Sequence, residues 1–303
     1  MIPVYIPTFN NPTYTRHIVN QLKKLEITNL NVIDNNSTYV PMITLLEDLE
    51  KSVNIIRLKE NKGPHYVLRD KNFYEKLPSV FCLSDPDIEF SKSIPKNFVK
   101  DLLEISEKYK MGKVGLALEI PELNEFVKPY MYLEGKLWNM VEWEKLHWQN
   151  KIGEHSDSSD IYRTNMDTTF AIYNKKYFNP EDRYPALMIA GNFTSKHLGS
   201  YKKTIIPIEE QEFYERTTRY SYTAGKLNNK GVPVFEITVH EYTLIKEELD
   251  SLRFNYNTLS QINSNLNIEL QNLYHSRTWR YTIPLRNIKV IIKKLFHFLN
   301  KFK

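Results

Sequence analysis

Residues 80–90 read VFCLSDPDIEF: an apolar run from Val80 to Leu83, then Ser84, then Asp85 and Asp87 on either side of Pro86. A short apolar run stopped by turn-forming residues is the pattern of a buried strand. Two carboxylates directly after it put hard oxygen ligands at the strand's carboxyl end, the donors that Mg2+ and Mn2+ take. A capped turn carries the same residues, because Asp and Pro are common in turns. The stretch therefore takes its meaning from what precedes it.

Upstream, strand and helix patterns alternate. Val4 to Ile6 reads as a first strand, Leu30 to Ile33 as a second and Val53 to Leu58 as a third. Between them Ile18, Leu22 and Leu25 share one helical face, and Ile43, Leu46 and Leu49 another. With Val80 to Ser84 as the fourth strand, the order β-α-β-α-β-α-β with short connections predicts an α/β fold, Rossmann-like, around a mostly parallel sheet. Ligands of such sheets bind beyond the carboxyl ends of the strands. Polar loops follow all four strands: Pro7 to Asn11, Asp34 to Ser37, Asn61 to Pro64 and Asp85 to Asp87. Each alone is an ordinary turn, but their succession at strand ends predicts one shared crevice.

Downstream, Phe98, Leu102, Ile105 and Tyr109 predict an amphipathic helix before a strand at Val114 to Leu118. Trp138, Trp143 and Trp148 fall in a less regular stretch over 121–165, and Thr168 to Tyr173 and Val232 to Val239 read as further strands. From Ile245 the spacing changes. Ile245, Leu249, Leu252, Tyr256, Leu259, Asn263, Leu266, Leu270 and Leu273 follow at steps of 4 and 3, a heptad seam that predicts a coiled coil. Asn263 in that seam would set register or oligomer state.

The 303 residues, 41% of them hydrophobic, suffice for a sizeable core. The single Cys82 rules out a disulfide framework and a thiolate metal site. No N-terminal secretion signal is read, and no apolar stretch reaches the about 18 residues of a membrane span. Net charge is +5, yet residues 276–303 hold eight Lys or Arg and no Asp or Glu, which leaves residues 1–275 at −3. The basicity belongs to the tail, which speaks against nucleic-acid binding by the body and for an anionic membrane surface. Ile288, Ile291, Ile292, Leu295, Phe298, Leu299 and Phe302 give the tail an apolar stripe, with Lys289, Lys293, Lys294 and Lys301 on its other side.

The stretches IPVYIPTFNN (2–11), VIDNNST (32–38), NKG (61–63) and SDPDIEF (84–90) resemble the nucleotide-binding part of GT-A glycosyltransferases, close to the large family 2 group. MDTTFAIYN (166–174) and AGNFTSKHLGSY (190–201) are similar to segments of a bacterial branch of these enzymes, and SRTWRYTIPLR (276–286) to the ends of many bacterial polysaccharide glycosyltransferases. The resemblance implies a nucleoside-diphosphate-sugar donor bound by Thr8, Asn10, Asp34, Asn61 and Asp85, with Asp34 at the base, and an Mn2+ or Mg2+ cofactor held by Asp85 and Asp87. It also implies an acidic residue that serves as base near the acceptor and a histidine that completes the metal shell. Asp167 and His197 are the candidates, although Asn165-Met166-Asp167 stands where such enzymes have a Glu-Asp pair. Asp167 reads equally as a strand-start cap. Trp138, Trp143 and Glu144 are candidates on the acceptor side, where an aromatic face suits a sugar ring and core packing explains the tryptophans equally well.

The expected organisation is a GT-A domain over 1–242, with a nucleotide-binding half over 1–120 and an acceptor half over 121–242, then a coiled-coil helix over 243–275 and a membrane-associating tail over 276–303. The expected function is transfer of a sugar to a glycan or lipid-linked acceptor in surface-polysaccharide synthesis. The setting is the cytoplasmic face of the membrane, with the chain a homo-oligomer. A nucleotidyltransferase is the alternative enzyme, disfavoured because the first loop has no glycine, and a non-catalytic scaffold the alternative outside enzymology.

Overall fold

The computed structural model describes residues 1–133, 136–167, 169–218, 239–275 and 288–294. The chain divides into two compact units, Met1–Ile237 and Thr238–Lys303. The strand expected at 232–239 lies outside the described residues except for Val239, and Thr168 and the tail segments 276–287 and 295–303 lie outside them too.

The first unit begins with β1 (Val4–Thr8), α1 (Pro12–Lys24), β2 (Leu30–Asp34), α2 (Val40–Leu49), β3 (Asn54–Arg57), α3 (Tyr66–Arg69), α4 (Lys71–Lys76) and β4 (Val80–Leu83). It continues with β5 (Ile88–Glu89), α5 (Phe98–Tyr109), β6 (Lys113–Leu116), β7 (Tyr130–Leu133), β8 (Lys136–Asn139), α6 (Met140–Lys145), β9 (Lys151–Glu154) and β10 (Asp160–Asn165). It ends with β11 (Ala171–Asn174), β12 (Pro185–Ile189), β13 (Lys196–His197) and α7 (Ile208–Thr217).

Among the described residues, nine strands form one sheet in the order β3-β2-β1-β4-β11-β6-β12-β10-β9. β1, β2, β3 and β4 are parallel, as are β6 and β12. β11 runs antiparallel between β4 and β6, and β10 antiparallel between β12 and β9. The expected mostly parallel sheet is thus present. The later strand β11 enters that sheet between β4 and β6, bringing the loop before it to the edge where the parallel strands end, while β7 and β8 pair separately.

Both faces of the sheet are covered, which is why β2 (LNVID) is buried at every position and reads as a continuous rather than an alternating run. On one face α1, α2 and α5 pack Ile18, Leu22, Leu45, Leu46, Leu102 and Ile105 against the strands. Fully burying such a side chain contributes about 1.5–3 kcal/mol. α1 starts with Pro12 in its first turn and carries Lys23 and Lys24 in its last, as its missing donor and the helix dipole favour. The other face holds Val67, Leu68, Phe81, Tyr173 and Phe178, with the rings of Phe81 on β4 and Tyr173 on β11 stacked at 5.2 Å.

Two further pairings position the site. β13 pairs antiparallel with β5, matching His197 to Ile88 and Lys196 to Glu89. At Gly115 on β6, an added Cβ would lie 2.6 Å from Met166 Sδ and 2.7 Å from Thr169 Cγ2, so the loop that carries Asp167 rests directly on the sheet.

The second unit contains one long helix, α8 (Val239–His275), and helical residues 288–294. Leu252, Tyr256, Leu259 and Leu266 of the seam are exposed, as are Ile288, Ile291 and Ile292. Among the described residues no helix is long and apolar enough to cross a membrane.

Candidate active site

The polar loops after the parallel strands are joined by hydrogen bonds. Asn35 N donates to Thr8 O at 2.9 Å, Asn10 N to Ser37 Oγ at 3.0 Å and Lys62 N to Asn35 Oδ1 at 3.2 Å. These bonds tie three of the four loops, the first to the second and the second to the third.

Asn10 is the centre of this junction. It has φ of 51°, in the left-handed region that asparagine tolerates better than most residues, and its side chain is fully buried. Its Oδ1 accepts from Thr38 N at 2.8 Å and Tyr39 N at 2.9 Å, and its Nδ2 donates to Thr217 Oγ1 on α7 at 3.1 Å. Thr8 is likewise engaged inside the fold, with Asn11 and Thr15. Asp34 is buried, its Oδ1 accepting from Ser37 N at 3.0 Å, and Asn61 Oδ1 accepts from Gly63 N at 2.9 Å. Asn10→Ala is expected to lower stability by about 2 kcal/mol, since it takes the acceptor from the part-buried Thr38 and Tyr39 amides and leaves a Cβ without a compensating side chain in the left-handed region. Thermal unfolding beside Asn10→Gly, which keeps the backbone freedom, checks this: the alanine variant should melt lower.

At the carboxyl end of β4, Asp85, Asp87 and His197 each offer one ligand atom, all within 4.8 Å of one another. The β5–β13 pairing makes this possible: it lays His197 beside the strand that follows Asp87, and Leu198 N donates to Asp87 O at 2.8 Å. His197 Nε2 is 3.1 Å from Asp87 Oδ2, and His197 Nδ1 is 3.1 Å from Ser200 Oγ, which orients the ring. A Cβ at Gly199 would fall 2.3 Å from Asp87 Oδ2, so only glycine leaves the carboxylate its place. Burial alone would raise the Asp87 carboxyl, but His197 and the Gly199 N–H hold it below its usual range. Burial alone would lower His197, but the Asp87 charge and hydrogen bond, with Asp85 and Glu144, raise it to about 9. Two carboxylates and an imidazole fixed by a hydroxyl are a donor set that suits Mn2+ or Mg2+, and Asp85, Asp87 and His197 are the residues that would hold such an ion.

Two pockets flank this triad. One, an open cleft, is lined by Asn11, Tyr14, Asp87, Gly199, Lys202 and Glu210 among others. α7 forms part of it: Glu210 accepts from Thr13 N at 3.1 Å and Thr13 Oγ1 at 2.6 Å at the start of α1, and Phe213 packs on Tyr39 at 4.7 Å. The other, smaller, is lined by Pro7, His65, Asp85, Lys113, Asp167 and Arg183 among others. Asp85 and Asp167 thus share one pocket, while Asp87 faces the other.

In the second pocket Lys113 is 1% exposed and donates to Met166 O at 2.6 Å and Asp167 O at 3.0 Å, bracing the loop that carries Asp167. Burial pulls its ammonium down to about 8, against the opposing pull of Asp167 and Asp85. His65 Nε2 lies 3.7 Å from Asp167 Oδ1, and burial holds His65 below its ordinary value. None of His65, Lys113 and Arg183 stands out in the sequence; the nearest signal is a lysine at the head of the apolar run Val114 to Leu118.

Of the acceptor-side candidates, Trp138 and Trp143 meet edge to face at 5.0 Å, and Trp143 packs on the small cluster of Phe126, Met131 and Met140. Glu144, on the same helix as Trp143, lies within electrostatic reach of His197, and burial raises its carboxyl.

No family model and no curated protein matches the sequence. Among solved structures, the chain is similar to one from Bacillus anthracis described as a glucose-1-phosphate thymidylyltransferase, at 12% identity over 74% of this chain and 99% of that one, with a TM-score of 0.38. It is also similar to S. aureus TarS, at 14% identity over 71% of this chain and 38% of that one, with a TM-score of 0.39. Similarity to GalNAc-T7 with UDP, GalNAc and Mn2+ is 13% identity over 67% of this chain and 45% of that one, with a TM-score of 0.43. The fold is a Rossmann-like, mostly parallel sheet between helices, with a helical C-terminal region.

Proposed function

We propose that the protein is a metal-assisted glycosyltransferase, which moves a sugar from a nucleoside-diphosphate sugar to a glycan or lipid-linked acceptor in surface-polysaccharide synthesis. The observation that supports this reading best is the meeting of Asp85, Asp87 and His197 at the carboxyl end of β4, between two pockets. Asp85, Asp87 and His197 would hold Mn2+ or Mg2+, which when bound neutralises the negative charge that builds on a departing nucleoside diphosphate. The chain's own residues do the rest. The hydrogen-bonded loops around Thr8, Asn10, Asp34 and Asn61 give the donor a rigid floor, and Asp167, across the second pocket from Asp85, takes the proton of the acceptor hydroxyl.

The nucleotidyltransferase alternative uses the same carboxylates. Against it, the first loop has no glycine-rich array of open amides, and its left-handed turn is made by Asn10, whose side chain is tied to the second loop. The test is a panel of nucleoside-diphosphate sugars incubated with Mn2+ and acceptor mixtures. Release of the nucleoside diphosphate supports the proposal; release of pyrophosphate from a nucleoside triphosphate and a sugar phosphate, or no turnover at all, would overturn it.

The basic tail would hold the enzyme on the cytoplasmic face of the membrane. Deleting residues 276–303 removes eight positive charges, each able to contribute on the order of 1 kcal/mol at an anionic surface. Full-length protein is expected to sediment with phosphatidylglycerol vesicles at low salt but not with phosphatidylcholine vesicles, and the truncated protein with neither. Equal sedimentation of the two proteins would remove the anchor. The exposed seam of α8 would join copies of the chain, so Leu259→Lys is expected to shift the mass in light scattering toward the monomer. A monomeric wild type would refute this.

A further inference from the structure

The heptad assigns Leu249, Tyr256, Asn263 and Leu270 to a positions, and Ile245, Leu252, Leu259, Leu266 and Leu273 to d positions. α8 is continuous through all of them. At the middle of the seam Leu252 is 59% exposed, Tyr256 73%, Leu259 65% and Leu266 52%, an apolar edge of the kind a second helix covers. Ile262, 49% exposed at a g position, widens that edge beside Asn263.

We infer that α8 pairs with α8 of a second copy as a parallel, two-stranded coiled coil whose register is set by Asn263. This rests on the self-association proposed above and adds its geometry. Two observations choose the orientation. In a parallel pair each a position faces its own counterpart, so Asn263 meets Asn263, and one amide donates while the other accepts. In an antiparallel pair a faces d, and Asn263 would be buried against isoleucine or leucine with its hydrogen bonds unmade. Within its own helix the Asn263 Oδ1 meets Asn267 Nδ2 only at 3.5 Å, the long edge of a hydrogen bond, which leaves the amide available to a partner. The second observation is charge. Glu248 at g precedes Arg253 at e by five residues, the step at which g and e of parallel helices meet, so each Glu248 faces the other copy's Arg253. Arg253 has a weaker contact within its own helix, 3.9 Å from Asp250 Oδ1, and is well exposed. Antiparallel packing sets g against g and e against e, and with the whole seam overlapped Glu248 would face Glu269 of the other copy, like charge against like. A parallel pair also carries both basic segments 276–303 away from the same end of the coiled coil, because each follows directly from the C-terminus of its α8.

Cysteine pairing in the full-length chain tests this, because the single native thiol, Cys82, is buried at 0% exposure and silent. Leu252→Cys and Leu266→Cys are made separately, oxidised mildly, and examined on non-reducing gels alongside light scattering. Each variant is expected to cross-link mostly with itself, and the mass to be that of two chains. Cross-linking only when the two variants are mixed would overturn the parallel orientation while leaving self-association intact. A mass of three chains would overturn the two-stranded assembly, and a monomeric wild type would overturn self-association itself. Asn263→Leu is expected to broaden the mass distribution beyond two chains; an unchanged two-chain mass would remove Asn263 from the control of register.

Discussion

Asp87→Asn is expected to lower turnover by about 10²–10³-fold while the protein stays folded, and to lower Mn2+ affinity in parallel. The factor corresponds to the roughly 3–4 kcal/mol of charge stabilisation that a metal ion supplies to a departing diphosphate. Asp87 loses most because the amide replaces the one charged oxygen that sits 3.1 Å from His197 Nε2 and is walled in by Gly199. The substitution also removes what raises His197 to about 9. The sign for the wild type follows: the free site carries a proton on His197 below that pH, the ion displaces it, and Mn2+ affinity should rise with pH up to about 9. In Asp87→Asn that pH dependence should move to lower pH. Titrations of Mn2+ binding by calorimetry in several buffers, beside donor turnover, check both statements. Wild-type turnover in the variant would end the metal assignment.

Asp167→Asn is expected to lower turnover by about 10²–10⁴-fold, the range for loss of a general base, with little change in donor affinity. The separation comes from geometry: the donor-side loops and the two aspartates follow β1, β2, β3 and β4, and His197 lies on β13, whereas Asp167 enters from the loop before β11 and is held by Lys113 through its backbone carbonyl. Its carboxylate is about half exposed, open to an incoming hydroxyl in the pocket it shares with Asp85. Separate measurement of donor binding by calorimetry and of turnover under acceptor saturation distinguishes the roles. An equal loss of donor affinity would make Asp167 part of the donor site.

The parts of the fold set by local pattern were legible in the sequence. The strands Val4 to Ile6, Leu30 to Ile33 and Val80 to Ser84 lie within a residue or two of β1, β2 and β4, since buried parallel strands are short apolar runs and here each is bounded by turn-forming residues. The place of β11 was not legible. MDTTFAIYN announces a strand, but nothing local says that it runs antiparallel between β4 and β6, because sheet order is fixed by which faces remain to be covered once the other strands have paired. The same limit hid Lys113, whose meaning lies in a loop folded onto it from far along the chain. Asn10 shows a subtler gap: a loop asparagine at a strand end reads as a ligand contact, while its buried amide closes one loop onto another.

The pairing of β5 with β13 joins a strand near the start of the first unit to one near its end. A chain made from its N-terminus therefore completes β1 to β4, and both aspartates, long before it can bring His197 to them. The triad is complete only once His197 has been made, and an ion held by it would favour the paired state by mass action, acting as a clasp on a very long loop. Fragments that stop short of Ser195 would keep the two carboxylates and lack the clasp, so ion binding would tell chains that have reached β13 from those that have not.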